Sequence, residues 1–265
     1  KIIMYGYGRQ YGKIFGGSNG FDVDYNAVLS YATGLGYTLP SASQQIGQNN
    51  LVVSLKSAGI WAKLDTFGNF TTNGSSNFAL IDWKRLVLYT AVNSPTFTSN
   101  QGFKGNGTSS YINANYQIST QAVNYATGSS SIGAYVHQIS TNTGNQLAGT
   151  GVGADYLSPN QSNAVFRGAT FGSAVFNSTT RNTTPSIVSV NRPSTAILNH
   201  YRGSTKSADI AATSTGTLAA GAFSFLAVAG SQFDDSRIGM GWAGGSLEGN
   251  MADFVAIWAT YLAAL

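Results

Sequence analysis

FALIDWKRLVLYTAVNSPTFTSNQGFKGNGTSSYINANY, residues 78–116, is the stretch on which the fold of this chain turns. It opens with apolar residues around a charged turn, crosses Asn93-Ser94-Pro95, and ends in a glycine-punctuated run before Ser109-Ser110-Tyr111-Ile112. In a β-protein, Gly105, Asn106 and Gly107 supply the positive-φ conformations that a tight connection needs. Tyr111 and Ile112 have the β-propensity to start the next strand.

The same texture continues outward from this stretch. From Phe67 onward, short runs of Val, Ile, Phe, Tyr and Thr alternate with Gly/Asn/Ser clusters, the pattern of a sandwich or barrel. Strands are expected near 78–82, 86–90, 95–98, 110–116, 130–139, 145–149, 154–157, 163–167, 172–176, 185–191, 195–202, 222–228 and 251–259. Upstream, residues 22–64 read as helical. Asp24 is expected to cap a first helix, and Gly34, Gly36 and Pro40 to close it. Ser41 with Gln44 is a capping-box signature for a second helix, with Ile46, Leu51, Val52 and Leu55 on one side. Residues 1–21 alternate Tyr and Gly, as an extended arm ordered by a neighbouring subunit would. No internal repeat or linker interrupts the chain. One body is expected, with the arm at 1–21, helices packed on the sandwich at 22–64 and the β-domain at 65–265.

GFKGNGTSSYINANY resembles the opening of a laminin-G-like (concanavalin-like) jelly-roll domain, and Ser131-Ile132-Gly133-Ala134-Tyr135-Val136 resembles another of its strands. Ser186–Val190 and Ala196–Tyr201 resemble its paired strands, with Arg202-Gly203 where the family commonly has Asn-Gly. MADFVAIWATYLAAL resembles its closing strand and short helix, with Met251, Phe254, Ala256 and Trp258 in the strand. The resemblance implies an all-β, two-sheet antiparallel jelly-roll sandwich. IWAKLDTF and NSPTFTSNQGF resemble structural proteins of tailed bacteriophages. That likeness implies a virion component (fibre, tail or capsid surface) whose partners are other copies of itself, other virion proteins and host-surface polysaccharide. A free secreted lectin or adhesin, or a glycan-cleaving enzyme, stand as alternatives.

Composition narrows the classes further. Charged residues make up only 9% of the 265, against about 25% in typical domains, so hydroxyls and amides must solvate the surface. The net charge of +4 is spread thinly, without a basic run interleaved with aromatics, which argues against nucleic-acid binding. Zero cysteines exclude disulfides and thiolate metal sites. No apolar run approaches the roughly 18 residues of a membrane helix. No signal peptide is evident, and the chain starts at Lys1, as a processed form or a fragment would.

Catalytic patterns are missing, and neither an enzyme nor a cofactor is expected. Zinc would need both histidines, His137 and His200, with Asp155 or Asp209, and strand histidines are more often plain structural residues. The alternating acidic strand of concanavalin-like glycosidases is absent. Asp234, Asp235 and the lone glutamate, Glu248, are the remaining acidic set. Asp234-Asp235 suits a solvated turn near Arg237, or a weak calcium loop, better than an acid/base pair. The run from Gly149 to Ala154 lacks phosphate-loop spacing, and no G-x-S-x-G elbow is present. What remains is a binding surface of aromatics beside amides and hydroxyls. Its candidates are Tyr156, Asn160, Gln161, Arg167, Phe233, Asp234, Asp235 and Trp242.

Overall fold

Two strands that hydrophobic periodicity does not reveal hold the centre of the molecule. The computed structural model describes residues 20–140, 143–151, 155–160, 165–172, 175–180, 182–218, 220–228 and 230–265. The expected arm, apart from its last two residues, lies outside them, as does Gln161.

The described residues open with helices α1 (Val23–Gly34) and α2 (Ala42–Ser57), then a 3-10 turn at Trp61–Lys63. β1 (Leu64–Asn69), the single-turn α3 (Ser76–Ala79), β2 (Ile81–Asp82), β3 (Val87–Leu88), β4 (Thr90–Val92), β5 (Thr96–Thr98) and β6 (Gly102–Lys104) follow. Next come β7 (Tyr111–Gln117), the short α4 (Ile118–Gln121), β8 (Ser130–Gln138), β9 (Ala148–Gly149), β10 (Tyr156–Ser158), β11 (Val165–Ala169) and β12 (Val175–Thr180). β13 (Ser186–Ser194), β14 (Ile197–Arg202), β15 (Thr205–Lys206), β16 (Ile210–Ala211), β17 (Ala222–Phe225), β18 (Arg237–Gly244) and α5 (Met251–Ala263) complete it.

The strands form two antiparallel sheets, a β-sandwich of the jelly-roll type. The first sheet runs β15-β14-β13-β8-β18-β1-β2-β3, with β16 on β14 and the β5–β6 pair joined to β18. The second runs β12-β11-β10-β9-β17-β7-β4. Alternation along the strands makes three layers. Ile132, Ala134 and Val136 of β8 meet Ile112, Leu157 and Phe225 of the second sheet in one core. On the opposite side of the first sheet, Phe67, Ile187, Met240 and Trp242 pack against Val28, Val52, Phe254 and Trp258 of the helices. Each such large apolar side chain contributes about 1.5–3 kcal/mol on burial.

Two glycines let the layers close. A Cβ on Gly133 would lie 2.1 Å from the Trp242 ring, and one on Gly241 would lie 2.3 Å from Phe225. The rings therefore rest directly on strand backbone.

Two buried carboxylates join parts of the chain distant in sequence. Asp65 of β1 accepts from the Tyr116 hydroxyl at 3.0 Å, the amides of Asn124 at 2.8 Å and Tyr125 at 2.9 Å, and the Asn124 side chain at 2.9 Å. It pins the segment leaving β7 to the first sheet. Asp82 accepts from Thr66 Oγ1 at 2.7 Å and holds the β2–β3 turn through the Lys84 amide at 2.9 Å and Arg85 Nε at 2.5 Å. Arg85 passes the linkage on by donating to the Ala114 and Asn115 carbonyls.

The structure corrects several expectations. Residues 251–259 are helical, not a strand, because Met251, Phe254, Trp258 and Tyr261 fall on one helical face and are buried, while Ala256 is exposed. The strand before it is β18, which sits between β8 and β1. Asp22, not Asp24, caps α1, accepting from the Asp24 amide at 2.9 Å. Ser41 does cap α2, but the Gln44 side chain turns to Asn73 and Asn100, and Asn73 accepts from the Ser41 amide instead. Ile46 is 53% exposed and lies off the packed face. In the 105–107 turn, Gly107 has φ 73°, whereas Gly105 is required by the Asp234 carbonyl, 2.0 Å from where a Cβ would stand. Asn106 works through its side chain, which accepts from the amides of Thr108, Ser109 and Ser110.

Candidate functional site

Among the described residues, no long helix covers the outer face of the second sheet. With Ile112, Ala114 and Tyr116 of β7 turned into the core, alternation puts Tyr111, Asn113 and Asn115 on the outer face of the second sheet. Thr90 of β4 pairs with Asn113, and its hydroxyl accepts from Asn115 Nδ2 at 2.9 Å. Farther across, Leu157 faces inward and Tyr156 outward, opposite Ala169 of β11. The Arg167 guanidinium lies 5.5 Å over the Tyr156 ring, so the two share this face.

A turn crosses the middle of the face. Val228 and Ser231 pair with each other, and Val228 packs on Tyr156 and Ala169. Phe233, just beyond, meets the Tyr111 ring at 6.0 Å. The face therefore carries half-buried Tyr111, Phe233 and Arg167 beside the amides of Asn113 and Asn115 and the hydroxyl of Thr90.

Several expected site residues gather at one end of this face. Ser140 donates its hydroxyl to Asp235 and accepts from Asn160 Nδ2 through its carbonyl at 3.0 Å, drawing the loops of Asn160 and Asp235 together. Asp234 is buried and accepts from the Ser236 amide at 2.6 Å, and burial pushes its carboxyl up to about 6. Arg237 does not serve this pair in the expected way, since its Nη1 donates to the Gly102 carbonyl. Among the described residues no third Asp, Glu, His or Cys joins Asp234 and Asp235 in a group that could hold a metal ion.

Trp242 is not a surface residue. It is fully buried between β18 and α5, its Nε1 donating to Ser131 Oγ at 3.1 Å and its ring 4.9 Å from Phe254. Tyr156 is itself only 1% exposed, so it supports Arg167 rather than offering its ring to solvent. Sequence reading missed Tyr111, Asn113 and Asn115 as face residues, although the alternation of YINANY around Ile112 and Ala114 already separates them from the core.

The histidines do not converge on the carboxylates named with them. His200 stacks on Phe166 at 4.7 Å, while His137 meets Tyr135 edge-on at 6.0 Å. Asp155 accepts from the Tyr125 hydroxyl at 2.6 Å, and Asp209 pairs with Lys206 at 2.6 Å. Glu248 is bound by Lys206 and Asn199, partners different from those of Asp234 and Asp235. One cleft of about 230 Å³ lies between α2 and α5, and another of about 40 Å³ beside His200.

No protein-family model matches the chain, and no curated protein sequence matches it. Among solved structures, Trypanosoma rangeli sialidase matches with a TM-score of 0.53 and 14% identity, over 82% of this chain and 39% of that one. A mutant form of HCR/D matches with a TM-score of 0.50 and 12% identity, over 76% and 53%. The botulinum neurotoxin serotype D binding domain matches with a TM-score of 0.46 and 12% identity, over 71% and 48%. The chain thus spans less than two thirds of the length of each. At these identities the likeness is one of fold, the β-sandwich of jelly-roll type.

Proposed function

We propose that this chain is a non-enzymatic structural and adhesive protein of a bacteriophage particle, and that the outer face of its second sheet holds host-surface glycans. The supporting observation is the asymmetry of the sandwich. Helices cover one outer face, while the other presents Tyr111, Phe233 and Arg167 among Asn113, Asn115 and Thr90. Pyranose rings have an apolar face and polar edges, which aromatic rings and amide or hydroxyl groups match. The particle context rests on the likeness of IWAKLDTF and NSPTFTSNQGF to tailed-phage structural proteins. Other copies of the chain and further virion proteins are the partners this reading supplies.

A polysaccharide array followed by calorimetric titration tests the glycan reading. The intact chain is expected to bind at least one surface polysaccharide without cleaving it. Tyr111→Ala should weaken binding about tenfold, as loss of about 1.4 kcal/mol of stacking would. Failure to bind any polysaccharide refutes the adhesive role. Release of reducing sugar that stops on Asp235→Asn would overturn the non-enzymatic reading.

A further inference from the structure

The sequence holds Asn-Gly pairs at 19–20, 73–74 and 106–107. Such a pair is chemically special, because glycine has no side chain to keep its amide nitrogen away from the preceding carboxamide. Asn19 lies outside the described residues, and the fold treats the other two pairs differently.

Asn73 is held away from its glycine. Its Oδ1 accepts from the Ser41 amide at 2.8 Å and its Nδ2 donates to Ser41 Oγ at 2.9 Å, which draws the side chain across to the start of α2. The Gly74 amide is itself occupied, donating to Thr72 Oγ1 at 3.1 Å. Asn106 is exposed in the turn between β6 and β7, and among the described residues nothing accepts from the Gly107 amide. The Asn106 Oδ1 accepts from the amides of Thr108, Ser109 and Ser110 at 3.0, 2.8 and 2.9 Å, which folds the carboxamide back over the Gly107 peptide. Its Nδ2 donates to Ser109 Oγ at 3.1 Å.

This arrangement suits a charge that develops during reaction. Attack at Cγ pushes negative charge onto Oδ1, and the backbone donors already aimed there bind it more strongly than they bind the neutral amide. We infer that Asn106 is a self-modifying site, at which the turn converts its own asparagine to an acid. The Gly107 amide gives its proton to solvent base, and its nitrogen bonds to Cγ. The Cγ–Nδ2 bond breaks, and Nδ2 leaves as ammonia with a proton passed from water through the Ser109 hydroxyl. Water then opens the cyclic imide to aspartate or isoaspartate at position 106. One water is consumed, one ammonia is released, and nothing is oxidised or reduced. The product sets a carboxylate against the same three amides, a stronger acceptor than the group it replaces. This site is independent of the proposed sheet-face site.

The test is ageing of the intact chain at mildly alkaline pH, native and in guanidinium chloride, followed by peptide mapping with mass spectrometry. In the native chain Asn106 should lose its amide about tenfold faster than Asn73, equivalent to about 1.4 kcal/mol in the barrier. Denaturant should speed the loss at Asn73 without speeding it at Asn106. Asn106→Asp should elute with the aged chain on ion exchange from the outset and acquire no comparable acidic shift on ageing. The inference is overturned if native Asn106 keeps its amide, if denaturant speeds its loss, or if native Asn73 converts as fast. An equal acidic shift in aged Asn106→Asp would place the reaction elsewhere and overturn it as well.

Discussion

Acidification should destabilise this protein through His200, and the amount follows from its surroundings. The imidazole is 2% exposed, stacked on Phe166, with Nε2 3.4 Å from the Gly168 carbonyl and Nδ1 without a partner. Burial lowers its pKa from 6.5 to about 4, only partly opposed by the Gly168 contact. The fold therefore holds the ring neutral, while the unfolded chain takes up a proton as pH falls through 6.5. Above that pH the group costs nothing, and the penalty grows down to about pH 4. At about 1.4 kcal/mol per pH unit, the full penalty is about 3 kcal/mol, most of it present at pH 4.5. Replacing the ring with leucine removes the titration at similar volume. Urea denaturation of the wild-type chain and His200→Leu at pH 7.5 and 4.5 reads out the difference, because other groups cancel between the two proteins. His200→Leu should gain about 2–3 kcal/mol relative to wild type on going to the lower pH. Parallel pH curves, or a His200 imidazole resonance titrating near 6.5, would refute the reasoning.

Asp234 carries the opposite sign. Its carboxyl is raised to about 6 by burial, so its charge destabilises the fold above that pH and the cost is relieved as pH falls toward 3.8. Asp234→Asn should raise the melting temperature at pH 7, by as much as about 3 kcal/mol of stability, with the gain vanishing near pH 3.5 in calorimetry. A melting temperature lowered at pH 7 would show that the charge is wanted there. Asp65→Ala strands the amides of Asn124 and Tyr125 and the Tyr116 hydroxyl, and should cost about 4 kcal/mol by urea denaturation. A loss under about 1 kcal/mol would show that water replaces the carboxylate. Gly133→Ala forces the Trp242 ring off the strand. It should cost about 2 kcal/mol or more and shift the Trp242 emission, whereas unchanged melting and emission would contradict the packing.

Legibility followed side-chain pattern. β7, β8 and β13 declare themselves through alternating β-branched and aromatic residues, and Ser41 announces α2 through its cap. β18 reads RIGMGWAG, and its glycines look like loop until the Phe225 ring is seen against Gly241. β1, LDTFGN, hides because Asp65 and Asn69 are buried polar residues whose partners lie far along the chain. α5 was misleading for the opposite reason, since a short apolar segment suits strand and helix alike until its burial shows the period. At the site, Asn160 and Asp235 were legible as loop residues, but their meeting at Ser140 was not. Trp242 was not, because a tryptophan between glycines gives no hint of which layer it enters.

The position of β18 also bears on how the chain is made. It lies between β8 and β1, although β1 begins at Leu64 and β18 only at Arg237. On the ribosome the first sheet must therefore wait, with β1 and β8 each presenting an unpaired edge, until residues as far as Gly244 have emerged. Such non-local closure is slow, and open edges invite pairing with neighbouring nascent chains. The glycines that make β18 inconspicuous also let its neighbours close over it, Gly241 lying under the Phe225 ring and Gly239 beside the Tyr135 ring. A nascent chain stalled before Arg237 should be held by chaperones, and one released past Gly244 should leave them.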